Sequence, residues 1–139
     1  MNSGTIILGV IGADCHSVGN KILDVFFNEK GYKVINLGVM VSQDEFIDAA
    51  IESEADAIMI SSLYGQGEID CQRMREQCIE RGLENILLYV GGNLVIGKTD
   101  YIATEKKFLA MGYDRVFSPD IDLESVHTLL QEDIAARKT

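Results

Sequence analysis

The chain has 139 residues, 47% of them hydrophobic, with 22 acidic against 12 basic side chains and a formal charge of −10 at pH 7. A length of this order makes one domain around one core, and an acidic surface without a basic cluster repels a phosphate backbone, which argues against nucleic acid as a partner. No apolar run approaches the roughly 20 residues of a membrane span, and no basic segment precedes a signal-like apolar stretch, so residues 1–139 read as a single soluble, cytoplasmic domain.

The elements alternate. Ile6 to Ile11 is a first apolar strand, followed by a helical pattern over about Asn20 to Lys30 that Gly31 closes. Val34 to Gly38 is a second strand. Ser42 and Glu45, three apart, form a capping-box signature ahead of a helix expected to bury Phe46, Ile47, Ala50 and Ile51. Ala57 to Ile60 is a third strand, and the loop after it leads to a helix with Cys71, Met74 and Cys78 on one stripe and Gly82 as its stop. Ile86 to Val90 is a fourth strand, followed by a helix near Ile102 to Met111 that Gly112 ends. Arg115 to Phe117 is a short fifth strand. Asp122 caps a last helix carrying Leu123, Val126, Leu130 and Ile134.

Strands that are continuously apolar and alternate with helices indicate a parallel sheet covered on both faces. The predicted fold class is therefore α/β, a five-stranded doubly wound sheet of flavodoxin-like (Rossmann-like) order 2-1-3-4-5, whose ligands gather beyond the carboxyl ends of the strands. Gly9, Gly12, Gly38, Gly91 and Gly92 fall at or near those ends, where a missing Cβ lets backbone approach a large ligand.

Chemistry-bearing residues collect on the same edge. Asp14 and His16, at i and i+2 on an extended loop, project to one side while Cys15 points away; a carboxylate can then hold an imidazole whose other nitrogen binds a metal. The same alternation argues against a Cys15–His16 nucleophilic dyad. Ser61, Ser62 and Leu63 end the third strand with two hydroxyls and an apolar wall, a combination suited to a buried heteroaromatic ring, and Gly91-Gly92 ends the fourth. The odd count of three cysteines, with no C-x-x-C pair, indicates reduced thiols rather than a disulfide framework or zinc site. His127 is expected to be structural and partly exposed, and Cys71 and Cys78 core.

Asp14-Cys15-His16-Ser17-Val18-Gly19, Ser61-Ser62-Leu63 and Gly91-Gly92 together resemble the cobalamin-binding signature D-x-H-x-x-G, S-x-L, G-G, with 41 residues between Gly19 and Ser61 and 27 between Leu63 and Gly91. The segments Gly12 to Leu23, Ser61 to Asp70 and Gly91 to Lys98 are similar to the small subunits of glutamate mutase. That resemblance implies an adenosylcobalamin-dependent isomerase interconverting L-glutamate and threo-3-methyl-L-aspartate, an early step of glutamate fermentation by way of mesaconate. It implies a larger, barrel-shaped partner that binds glutamate, in an assembly of two small and two large chains. It implies His16 as the lower axial cobalt ligand in place of the cofactor's own base, with Asp14 behind it. The displaced nucleotide tail would be lined by Ser61, Ser62, Leu63, Gly91 and Gly92 and flanked by Asn93, Leu94, Val95, Ile96 and Gly97, with Ala13, Cys15, Ser17, Gly19 and Tyr64 also among the cofactor-binding residues. Competing readings are a methyl-carrying corrinoid protein, which in its family usually has a helical domain ahead of the motif, and an acyl-CoA mutase small subunit, which typically reads D-G-H-D-R-G at the first motif. A cofactor-free signalling domain is the third, although an acidic phosphoacceptor cluster is missing after the first strand.

Overall fold

Five apolar runs line up as parallel strands. The computed structural model describes residues 4–12, 18–62, 71–92, 101–117 and 121–137. In chain order these form β1 (Thr5–Val10), α1 (Val18–Glu29), β2 (Lys33–Asn36), α2 (Gln43–Ser53), β3 (Ala57–Ser62), α3 (Met74–Glu80), β4 (Leu87–Gly92), α4 (Tyr101–Ala110), β5 (Arg115–Phe117) and α5 (Leu123–Arg137). The sheet order is β2-β1-β3-β4-β5, as the alternation predicts, and every pairing is parallel, with Ile7 opposite Ile35 and Ile58, and Ile58 opposite Leu88.

Side chains alternate across each strand, so the sheet feeds two cores. Ile7, Ile58, Ile60, Leu88, Val90 and Val116 meet Phe46 and Ile47 of α2, Met74 and Cys78 of α3, and Phe108 of α4. On the other face Ile6, Leu8, Met59 and Tyr89 meet Phe27 of α1 and Val126, Leu130 and Ile134 of α5. The central strands are buried on both sides, which is why they read as unbroken apolar runs.

The helix ends follow the local signals. Ser42 and Glu45 exchange backbone-to-side-chain hydrogen bonds of 3.2 Å each, closing the expected box on α2. Gly31, Gly82 and Gly112 follow α1, α3 and α4 with φ of 92°, 88° and 101°, a region L side chains rarely adopt. Beside Gly112, Arg75 ties three segments together, its guanidinium donating to the carbonyls of Gly112 and Ile86, both at 2.9 Å, and pairing with Asp114 at 2.7 Å.

Three expectations change. Cys71 is fully buried but lies before α3, because Arg73 sits in the left-handed region (φ 68°) and breaks the helical path; Tyr113 holds the Cys71 carbonyl at 3.0 Å instead. Ile51 is 40% exposed and lies outside the α2 contact stripe formed by Phe46, Ile47 and Ala50. Gly9 does not face a ligand: a Cβ there would meet the Phe46 ring at 2.8 Å, so its role is to let α2 lie close on β1. Strand bounds also shift, with β2 ending at Asn36 before the turn at Gly38 (φ 86°), and β3 and β4 running on through Ser62 and Gly92.

Candidate functional site

Between α1 and α5, over the carboxyl ends of β3, β4 and β5, lies a slot of about 290 Å³. Gly19, Ile22 and Leu23 of α1 form one wall. Met59 and Ser61 of β3 with Tyr89 and Gly91 of β4 make the floor, and Phe117, Leu123 and Val126 close the far side. Among the described residues no charged side chain lines it, and Ser61 is one of its few polar residues. An apolar slot with a few polar groups at its rim takes a flat, uncharged ring system. Its volume sits at the lower end of the roughly 300–1,000 Å³ of ligand pockets, room for one small ring system.

Two of its lining residues are glycines. At Gly19 an added Cβ meets nothing within 4 Å, so any side chain there grows into open space beside the slot. At Gly91 it would touch the Phe117 carbonyl at 3.4 Å. Ser61 and Ser62 are consecutive on an alternating strand, so only Ser61 borders the slot, whereas Ser62 is fully buried towards the other face.

Polar contacts fix the floor and one wall. The Tyr89 hydroxyl donates to Asp133, which Arg115 grips through two nitrogens at 2.7 and 3.0 Å. Burial, then the carboxylate beside it, pushes the Tyr89 phenol above its ordinary range, so the hydroxyl keeps its proton. The Arg115 hydrogen bonds hold the Asp133 carboxyl below its usual value. On α1, Asn20 is only 2% exposed and donates to Asn36 Oδ1 at 2.6 Å; Asn36 in turn donates to Asp24 at 2.9 Å.

The approach to the first motif is held on both sides. The Ile11 N–H donates to the Ser61 carbonyl at 3.1 Å and the Gly12 N–H to the Val41 carbonyl at 2.9 Å, so the chain leaves β1 at Gly12 (φ 74°) from a fixed base next to the slot. Ala13, Asp14, Cys15, His16 and Ser17 follow directly and lie outside the described residues, as do Leu63, Tyr64 and Asn93 to Gly97. Of the predicted site residues, Gly19, Ser61 and Gly91 converge on one cavity, with Ser62 and Gly92 beside them in the paired ends of β3 and β4.

Sequence reasoning missed the apolar walls. Leu123 and Val126 were legible as a helical stripe packing on the sheet, and Ile22 and Leu23 as part of an amphipathic helix, but no local pattern marks which of them face a cavity rather than a neighbour. His127 is half-buried among the rings of Phe26, Phe27 and Tyr32, in keeping with a structural role. Cys78 is buried, and burial pushes its thiol up to about 11.

The B12 binding domain family matches residues 4–120. The glutamate mutase sigma subunit of Escherichia coli O157:H7 is 64% identical over 137 residues, which is 99% of this chain and 92% of that protein. The sigma subunit of Clostridium tetani is 58% identical over 96% of this chain and 98% of its own length. Among solved structures, a cobalamin-binding protein from Desulfitobacterium hafniense DCB-2 superposes with a TM-score of 0.77 at 18% identity, over 94% of this chain and 58% of that one, and so shares the fold.

Proposed function

The chain belongs to the glutamate mutase sigma subunits, the cobalamin-binding small subunits of that isomerase, and from this premise we propose that it carries adenosylcobalamin for the interconversion of L-glutamate and threo-3-methyl-L-aspartate. The observation that carries the cofactor reading is the mainly apolar slot at the carboxyl edge, bordered by a glycine or serine from each of the three signature motifs, Gly19, Ser61 and Gly91. When bound, the cofactor supplies a cobalt–carbon bond whose homolysis starts the radical chemistry.

The chain's own residues bind and orient. His16 would hold the cobalt through one ring nitrogen, and Asp14 would accept the N–H of the other, fixing the tautomer and strengthening the ligand. The slot takes the displaced nucleotide tail: Leu23, Met59 and Val126 exclude water from its ring, and Ser61 offers a hydroxyl. Leu63, Tyr64, Gly92 and Asn93 to Gly97 border the same region in this reading, together with Ala13, Cys15 and Ser17, while Ser62 supports it from the buried end of β3. Glutamate is bound by a partner catalytic subunit, a larger barrel, in an assembly of two small and two large chains working in the cytoplasm. Residues 1–139 act as one domain.

Electron paramagnetic resonance of bound cob(II)alamin, with the protein grown on nitrogen-labelled histidine, tests the ligation. Hyperfine coupling from the label that disappears in His16→Ala is the expected result. Coupling from the cofactor's own benzimidazole in the assembled enzyme would end the proposal.

A further inference from the structure

Met40, in the turn between β2 and α2, combines two unfavourable features. It is 60% exposed, and its backbone is left-handed with φ of 55°, a region costly for a residue with a Cβ and adopted, apart from glycine, mainly by asparagine, aspartate and histidine. Among the described residues the other left-handed non-glycines are Glu54 and Arg73, so Met40 alone of the three sets an apolar side chain in solvent. The conformation is held from both ends. The Leu37 N–H donates to the Leu8 carbonyl and the Val10 N–H to the Gly38 carbonyl, both at 2.8 Å, and the Val41 N–H donates to the Val10 carbonyl at 2.9 Å. The Gly38 N–H is taken by Asn36 Oδ1 at 2.9 Å. Between these ties the chain has to reverse before Val41 pairs with Ile11. That reversal requires a left-handed residue but not a methionine, since glycine or asparagine would make it at lower cost. A strained residue fixed by its surroundings points to a contact outside the fold.

The place of the turn identifies that contact. Along the carboxyl edge the strand order β2-β1-β3-β4-β5 puts the turn on one side of β1 and the slot, over β3 to β5, on the other. Between them the chain leaves β1 at Gly12, whose N–H the Val41 carbonyl holds at 2.9 Å, and the first signature motif begins at Asp14. Neighbouring strands lie about 4.8 Å apart, so a macrocycle held from the loop after β1 is wide enough to reach the turn after β2 while its nucleotide tail runs toward the slot. A corrin edge carries methyl groups and saturated ring carbons, and the unbranched thioether of methionine adapts to an uneven apolar surface of that kind. We propose that Met40 is a corrin-binding residue, which packs against the macrocycle rather than the nucleotide tail and is held ready for it by the pinned turn. The inference rests on this chain binding cobalamin at the carboxyl edge. It gives the edge a second apolar contact, on the far side of β1 from the slot, and a use for a side chain that the fold does not bury.

The test uses the full chain and two variants, titrated by absorbance with cobalamin and with cobinamide, a corrinoid that lacks the nucleotide. Met40→Asn removes the apolar side chain and suits the left-handed backbone, so it is expected to melt no lower than the wild type. Met40→Leu keeps the apolar contact. In Met40→Asn the dissociation constants of both corrinoids are expected to rise by the same factor, roughly three- to ten-fold, the scale of losing one partly buried apolar side chain. In Met40→Leu both are expected to stay within about two-fold of the wild type. An equal factor for the two corrinoids separates this contact from the slot, which is assigned to the nucleotide alone. Unchanged cobinamide affinity in Met40→Asn would overturn the inference. So would weaker assembly with the catalytic subunit at unchanged corrinoid affinity, which assigns Met40 to a protein interface. A wild-type chain that binds neither corrinoid removes the cofactor reading itself, whereas a wild type that binds both beside an unaffected Met40→Asn sinks the role of Met40 alone.

Discussion

Replacing Gly19 by leucine separates the slot from the stability of the fold. An added Cβ at this position meets nothing within 4 Å, and the residue lies in the first turn of α1, so loss of glycine itself is neutral or favourable by up to about 1 kcal/mol. The side chain nevertheless has to go into or across a slot of about 290 Å³. Truncating one buried leucine opens a cavity of about 150 Å³, so a leucine at 19 occupies roughly half of the available space. Overpacking of this kind costs about 1–3 kcal/mol, here charged only to the loaded state, which corresponds to a dissociation constant raised roughly 5- to 150-fold. Titration of the chain with cobalamin, followed by absorbance, measures it, and cobinamide, which lacks the nucleotide, serves as the internal control. Gly19→Leu is expected to melt within a few degrees of the wild type, to bind cobalamin more weakly, and to bind cobinamide unchanged. Unaltered cobalamin affinity in a folded Gly19→Leu chain would refute the assignment of the slot to the nucleotide tail.

Gly9→Ala drives a methyl against the Phe46 ring at 2.8 Å and is expected to lower unfolding free energy in urea by about 1–3 kcal/mol; a change below about 0.5 would show that α2 moves away at little cost. Cys78, buried and with its thiol raised to about 11, should resist a thiol reagent at pH 8 until the chain unfolds, and rapid labelling of Cys78 in the native protein would contradict its placement. The Asp133 carboxyl is held down by Arg115 in the fold, so its contribution is complete above the ordinary carboxylate pKa near 3.9 and fades as pH falls through the lower folded value. Asp133→Asn is therefore expected to destabilise the chain at pH 7, with the gap to the wild type closing below about pH 4; a gap that widens on acidification would reverse the sign of the argument.

The sheet order and the helix ends were legible because their causes are local. Unbroken apolar runs report strands buried on both faces, and Ser42 with Glu45 closes its box within one turn. Cys71 was misplaced because a single left-handed residue, Arg73, interrupts a spacing that otherwise reads as helix. Gly9 was read as a ligand contact because composition cannot distinguish a glycine that admits a cofactor from one that admits a phenyl ring. Gly19, Ser61 and Gly91 were found through their spacing, whereas Phe117, Tyr89 and Val126 depend on how α1 and α5 straddle the sheet, which no window of sequence records. The Asn20–Asn36–Asp24 string spans separations of 16 and 12 residues with no periodic signal, and only coordinates expose its unfilled oxygen.

Among the described residues the helices divide as α2, α3 and α4 on one face against α1 and α5 on the other, with an arithmetic consequence. Strands about 4.8 Å apart make a five-stranded ribbon roughly 24 Å wide, and a helix with its side chains shields about 10 Å of it. Three helices overlap on such a ribbon, while two leave about a strand's width bare. The vacancy is thus a by-product of chain connectivity that precedes any particular residue, and specialisation of this domain needed only to furnish a gap that its topology had already opened.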